Sequence, residues 1–152
     1  MAQAKSDALV LFGATGDLAH NKIFPSLYAM VRRGTLDVPV VGVAIEDWSL
    51  DQLIARARDG IEQENDAVDD AVFARLAGLL RYVSGDYRDP DTFRKLRTAL
   101  NESAHPLHYL AIPPSMFETV VQGLQQSDCA TGARLMVEKP FGRDLASAQW
   151  LQ

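Results

Sequence analysis

The sequence predicts an α/β fold, a doubly wound and mostly parallel sheet with helices on both faces. Three observations lead there. Apolar runs of strand length alternate with stretches whose apolar residues recur at helical spacing, the pattern of right-handed β-α-β crossovers. The first run, Ala8 to Phe12, passes into Gly13-Ala14-Thr15-Gly16-Asp17-Leu18-Ala19 and then a helix-period stretch. Groups with chemical potential follow the strand ends, at Ile45 to Asp47, Asp86-Tyr87, Pro113-Pro114 and Lys139-Pro140. Ligands of open parallel sheets bind on that side.

The elements follow in order. Leu9 to Phe12 is the first strand, and a helix from about Ala19 to Arg33 carries Ile23, Leu27, Met30 and Val31 on one face. Gly34 suits its C-terminal cap. Val38 to Ala44 is a second buried-type strand. Ser49 is placed to cap a helix from about Leu50, with Leu53, Ile54, Ala57 and Ile61 as its stripe. The acidic stretch Asn65 to Asp70 is a solvated break, after which Val72, Phe73, Leu76, Leu79 and Leu80 form another stripe.

Arg81 to Gly85 is a short strand with a turn, and Pro90 opens a helix holding Phe93, Leu96 and Leu100. Leu107 to Ile112 is a strand stopped by Pro113-Pro114. A helix from about Ser115 to Gln125 precedes the last strand, Arg134 to Glu138. From Asp144 to Gln152 a capped helix is expected, with Leu145, Ala148 and Leu151 on a face that needs a cover. The chain is therefore expected to continue past Gln152, and residues 1–152 to form one domain.

Composition bounds the function. At 152 residues the chain is long enough for a full core, and 47% hydrophobic with 23% charged residues is a globular balance. Its net charge of −5, with no basic stripe, argues against nucleic acid as partner. The apolar runs are too short to cross a bilayer, and the opening Met-Ala-Gln-Ala-Lys-Ser-Asp has no secretory pattern. Cys129 is the one cysteine, and no Cys/His cluster suggests a metal. A cytoplasmic protein is expected.

The glycine turn is the chemically informative segment. Glycine lets a ligand approach the backbone, and the first amides of a following helix lack internal partners. With the helix dipole they attract an anion, above all a phosphate. Asp17 is expected to cap the helix. Lys22, read alone, is a solvated helix lysine. Lys139 follows a buried-type strand, where an exposed lysine has no packing role, and Pro140 restricts its backbone. His20, His105 and His108 are expected at the surface or half-buried rather than in catalysis, and Cys129 in a polar loop without activation.

Three blocks in order carry a resemblance. Gly13 to Ala19 with Lys22 and Pro25, then Tyr109 to Pro114, then Glu138-Lys139-Pro140-Phe141-Gly142-Arg143-Asp144-Leu145, resemble the N-terminal coenzyme domain of the glucose-6-phosphate dehydrogenase family. The resemblance implies a Rossmann-like dinucleotide-binding domain. It further implies oxidation of glucose 6-phosphate at C1, with hydride passing to NADP, and a full-length homo-oligomer. By that resemblance Gly13, Ala14, Thr15, Gly16, Asp17 and Leu18 would wrap the diphosphate, with the Thr15 hydroxyl near the adenosine 2′-phosphate. Ala111, Ile112, Pro113 and Pro114 would line the cofactor cleft, and Tyr87 would lie near the adenine ribose. Lys22 and Lys139 would face the sugar phosphate and the nicotinamide. The family's catalytic base lies in a motif beyond residue 152, so no catalytic residue is expected here.

One departure bears on the cofactor. Where the family carries an arginine after the second strand, this chain reads Ala44-Ile45-Glu46-Asp47. A carboxylate suits the ribose hydroxyls of NAD, whereas a 2′-phosphate asks for a guanidinium. Glu46 is thus a cofactor-site candidate and NAD a contender beside NADP. Solvent exposure of Glu46 and Asp47, or a capping role, is an equally common use of such residues. Two other classes stay open on the sequence: another Rossmann-type oxidoreductase, although the Tyr-x-x-x-Lys pair usual in reductases is absent, and a non-catalytic nucleotide-binding subunit.

Overall fold

The computed structural model describes residues 6–101 and 103–137. Among these residues five parallel strands form one sheet: β1 (Ala8–Phe12), β2 (Val40–Ala44), β3 (Leu80–Ser84), β4 (Pro106–Leu110) and β5 (Arg134–Val137), in the order β3-β2-β1-β4-β5. The helices are α1 (Phe24–Arg33), α2 (Leu50–Glu64), α3 (Asp70–Leu79), α4 (Pro90–Leu100) and α5 (Phe117–Gln126). The order of connection reverses between β1 and β4, which opens a crevice at the carboxyl ends of those strands.

Alternation along β1 divides the core in two. Leu9 and Leu11 face α1, α2 and α3, packing with Leu27, Leu53 and Leu76. Ala8, Val10 and Phe12 face α4 and α5, packing with Phe93, Leu96 and Leu124. Both faces of β1 and β2 are buried, as a sheet covered on both sides requires.

Several elements are fixed by local signals. The Ser49 side chain accepts from the Gln52 amide at 3.2 Å while Gln52 returns a bond to the Ser49 amide at 2.8 Å, a capping box that starts α2. Asp69 caps α3 by accepting the Ala71 and Val72 amides, and Asp89 caps α4 by accepting the Asp91 amide. Gly34 ends α1 at φ 78°, its amide bonded back to Val31.

The departures from the expected elements have physical causes. The first helix does not run as one α-helix from Ala19: residues Ala19–Ile23 form a π-helical turn in which the Phe24 amide donates to Ala19. Pro25 has no N–H, and its ring conflicts with the carbonyl four residues back, so the wider turn absorbs the mismatch before α1. The second strand begins at Val40, two residues after Val38. Leu80 is the first residue of β3, not the last of a helical stripe. β4 runs from Pro106 and stops at Leu110, proline being tolerated at a strand's first position. A 3-10 turn, Pro114–Met116, precedes α5. The expected helix from Asp144, and the Glu138 end of the last strand, lie outside the described residues.

Two histidines and the cysteine are more buried than expected. His20 is buried because its ring is bracketed by Asp59 (Nε2 to Oδ2, 2.6 Å) and Asn21 (Nδ1 to Oδ1, 2.7 Å). His108 is fully buried on β4, with Nε2 donating to the Cys129 carbonyl at 2.8 Å. Cys129 itself is buried, and desolvation pushes its thiol pKa up, so it is an inert packing residue.

Candidate dinucleotide-binding site

The turn after β1 is held from three directions. Its first residue, Gly13, adopts φ 84°, a region L side chains rarely enter. A Cβ there would also lie 2.1 Å from the Ala111 carbonyl oxygen. The Gly13 amide donates to Val43 O at 2.9 Å and to the Tyr87 hydroxyl at 2.8 Å, and that hydroxyl donates to Val43 O at 3.1 Å. Burial pushes the Tyr87 phenol pKa well above its ordinary value, so it stays a donor. Its ring meets Phe12 edge-on, centroids 5.7 Å apart. From the other side, the Ala111 amide donates to Phe12 O at 3.0 Å.

The turn then presents its backbone outward. Ala14 is fully buried against Gly42, where an added Cβ would sit 2.8 Å from Ala14 Cβ, and Leu18 packs on the core beneath. The Gly16 amide closes the turn on Gly13 O at 3.0 Å, and the His20 amide bonds Gly16 O at 3.1 Å. Among the described residues, no hydrogen bond takes up the amides of Thr15, Asp17 or Leu18. A Cβ on Gly16 would meet only Gly13 O, at 3.4 Å, so its own packing does not demand a glycine. Free amides, a helix start and open space over Gly16 fit a diphosphate.

The other candidates gather unevenly around this turn. Ala111 and Ile112 are half-buried against Gly13, with Pro113 and Pro114 exposed beyond them at the same crevice. Glu46, exposed at the end of β2, accepts the Thr15 hydroxyl on Oε1 at 2.6 Å. Asp17 is not a helix cap: no first-turn amide bonds to its side chain, and residues 17 and 18 are themselves helical ahead of the π turn. Its carboxylate is 93% exposed and takes Arg56 Nη2 at 3.3 Å; helical bonding already begins at Gly16, whose carbonyl accepts the His20 amide at 3.1 Å, so Asp17 lies inside the first turn. Lys22 is exposed on that turn. Lys139 lies outside the described residues.

Three supporting residues were not singled out from the sequence. Tyr82 on β3 donates its hydroxyl to Glu46 O at 2.5 Å, and Arg56 on α2 reaches the turn at Asp17. Gly60 on α2 lets that helix close on the π turn, since a Cβ there would lie 2.0 Å from His20 O. A glycine in the middle of an apolar helical stripe was the available signal for such close packing; nothing in the sequence marked Tyr82 or Arg56.

A parallel sheet with its chain reversal beside a glycine turn defines a Rossmann-like α/β domain. Residues 10–152 match the family described as glucose-6-phosphate dehydrogenase, NAD binding domain. The chain belongs to that family. It is 46% identical over 143 residues to glucose-6-phosphate 1-dehydrogenase 1 of Mycobacterium tuberculosis strain H37Rv, covering 94% of this chain and 30% of that protein. With the Saccharomyces cerevisiae glucose-6-phosphate 1-dehydrogenase it shares 35% identity over 161 residues, 97% of this chain and 32% of that one. The crystal structure of the Mycobacterium avium enzyme superposes with a TM-score of 0.86 at 48% identity, over 97% of this chain and 33% of the other. A glucose-6-phosphate dehydrogenase in complex with glucose 6-phosphate gives a TM-score of 0.78 at 30% identity, over all of this chain and 34% of the other. The chain thus spans about a third of the length of these relatives.

No helix among the described residues is long and apolar enough to cross a membrane. Among the same residues no group of three or more His, Cys, Asp or Glu is arranged to hold a metal.

Proposed function

We propose that this chain is the coenzyme domain of a cytoplasmic glucose-6-phosphate 1-dehydrogenase, and that the turn from Gly13 to Leu18 seats the diphosphate of the nicotinamide dinucleotide. The reaction is oxidation of glucose 6-phosphate at C1 to the 6-phosphogluconolactone, the nicotinamide ring of bound NADP or NAD supplying the hydride acceptor. The observation that carries this reading is the set of free amides at Thr15, Asp17 and Leu18, next to a Gly16 that packing does not require.

Each residue has a binding or orienting part. Thr15, Asp17 and Leu18 amides donate to phosphate oxygens, and Gly16 admits them to backbone distance. Gly13 and Ala14 shape the turn. Tyr87 holds Gly13 in place and borders the adenosine side. Ala111, Ile112, Pro113 and Pro114 wall the crevice on the β4 side and exclude water from it. Lys22 and Lys139 serve the sugar phosphate and nicotinamide ends, where an ammonium offsets the phosphate charge. The base that takes the C1 hydroxyl proton lies outside these residues, as do the contacts of a homo-oligomer.

Titration of the chain with NADP and NAD, followed at backbone amides by NMR, tests the seat. Shifts centred on residues 13–18 are expected, with no turnover of glucose 6-phosphate by this chain alone. Shifts centred elsewhere, or lactone formation by the chain alone, contradict the reading.

A further inference from the structure

The adenosine end of the proposed seat is tied together by two side chains from different strand ends. Thr15 stands in the turn after β1 and Glu46 just beyond β2, and the Thr15 hydroxyl donates to Glu46 Oε1 at 2.6 Å. The strand end that carries Glu46 is itself fixed, because the Tyr82 hydroxyl donates to the Glu46 carbonyl at 2.5 Å. Burial first, then the charges of Glu46 and Asp47, push the Tyr82 phenol up to about 12, so this donor persists at neutral pH. Beside Glu46, Ile45 is 61% exposed, an apolar surface of the kind a purine covers.

The charges nearby are mostly negative. Glu46 and Asp47 follow β2, and Asp17 lies two residues from Thr15. Arg56 reaches the turn from α2, its Nη2 directed to Asp17 at 3.3 Å while its buried Nε has no hydrogen-bond partner. The Thr15 hydroxyl has one proton, which already serves the carboxylate. Glu46 keeps lone pairs on both oxygens for further donors, and a ribose with free hydroxyls has two. A 2′-phosphate offers no such donor and carries a charge of about −1.5 to −2.

Resting on the reading of this turn as a dinucleotide seat, we propose that Glu46, oriented by Thr15, selects the dinucleotide with free adenosine ribose hydroxyls, NAD, over NADP. Two unit charges 4 Å apart at a surface-like dielectric correspond to roughly a thousandfold in affinity before screening. At physiological salt, NADP is expected to bind at least about tenfold more weakly than NAD.

The test measures NAD and NADP affinity for the chain, for Glu46→Gln and for Arg56→Gln, with the amides of residues 13–18 followed in each. Glu46 is exposed, so Glu46→Gln is expected to melt with the parent. The expected result is preference for NAD in the parent and about a tenfold or greater gain in NADP affinity in Glu46→Gln, with NAD changed far less. A parent that prefers NADP overturns the proposal, as does an NAD preference unaltered in Glu46→Gln. Loss of NADP binding in Arg56→Gln moves the selectivity to that arginine and also overturns it. If neither dinucleotide moves the amides of residues 13–18 in any variant, the seat itself fails along with the selectivity; a wrong preference with those amides shifted removes only the role of Glu46.

Discussion

The carbonyl oxygen of Ala111 occupies the space where a side chain on Gly13 would begin, 2.1 Å from an added Cβ. Gly16, three residues on, has no such neighbour, since its nearest contact would be Gly13 O at 3.4 Å. The two glycines of the turn therefore serve different ends. Gly13 is required by the fold, whereas the packing around Gly16 leaves room for a side chain; under the proposed reading it is the ligand that needs a glycine there.

Gly13→Ala is expected to destabilise the chain by about 2–4 kcal/mol, combining the clash with a φ of 84°. Gly16→Ala is expected to leave the urea midpoint nearly unchanged while weakening dinucleotide binding about tenfold or more. Urea unfolding and a binding titration on both variants check the pair. Equal stability losses would erase the distinction.

Tyr87→Phe keeps the edge-on ring contact with Phe12 but removes the hydroxyl between Gly13 N and Val43 O. A cost of about 1–2 kcal/mol is expected, typical of a lost partner for half-buried groups. Hydrogen exchange at the Gly13 amide should quicken more than at amides of α4, which the hydroxyl does not touch. Uniform quickening would mean that the ring, rather than the hydroxyl, had been disturbed.

Gly60→Ala is expected to push α2 off the π turn, because the new Cβ would lie 2.0 Å from the His20 carbonyl. Backbone cannot yield as a flexible side chain can, so a loss of about 1–3 kcal/mol is expected. The same variant should loosen the His20 to Asp59 contact, now 2.6 Å. A thermal melt together with the His20 ring resonances reads both.

His108 makes stability fall in acid. Burial, the largest influence, lowers its pKa to about 4, with the Arg97 charge acting the same way. Its Nε2–H is used by Cys129 O, and buried Nδ1 has no partner, so protonation would strand a second N–H. The unfolded chain binds this proton below about pH 6.5 and the folded chain only below about 4. Stability is therefore fully present above pH 6.5 and falls as pH drops toward 4, by roughly 3 kcal/mol in total. Urea unfolding from pH 7 to 4 should show this slope, and His108→Leu should flatten it.

The fold was largely legible because its signals are local. Ser49 with Gln52, Pro90 and Gly34 each determine an element end through their own backbone chemistry, and the structure places each there. The π turn was not legible: Pro25 was visible, but whether it breaks, kinks or widens a helix depends on what packs beside it. The burial of His20 and His108 is not legible in the sequence because their partners, Asp59 and Cys129, are distant along the chain. In the candidate site, Thr15 and Glu46 could each be named, yet their contact exists only once β1 and β2 pair. Tyr87 illustrates the remaining gap, since no sequence pattern announces that a tyrosine will hold a glycine amide.

Tyr87 is separated from Gly13 by 74 positions along the chain, and Ala111 reaches the same residue from beyond β4. The turn thus takes its shape only after distant segments of the polypeptide have met, which topology makes slow. Partly assembled chains would have no working seat, so nucleotide added during refolding should not hasten the early steps. It should instead trap the finished molecule, raising the melting temperature with the logarithm of nucleotide concentration.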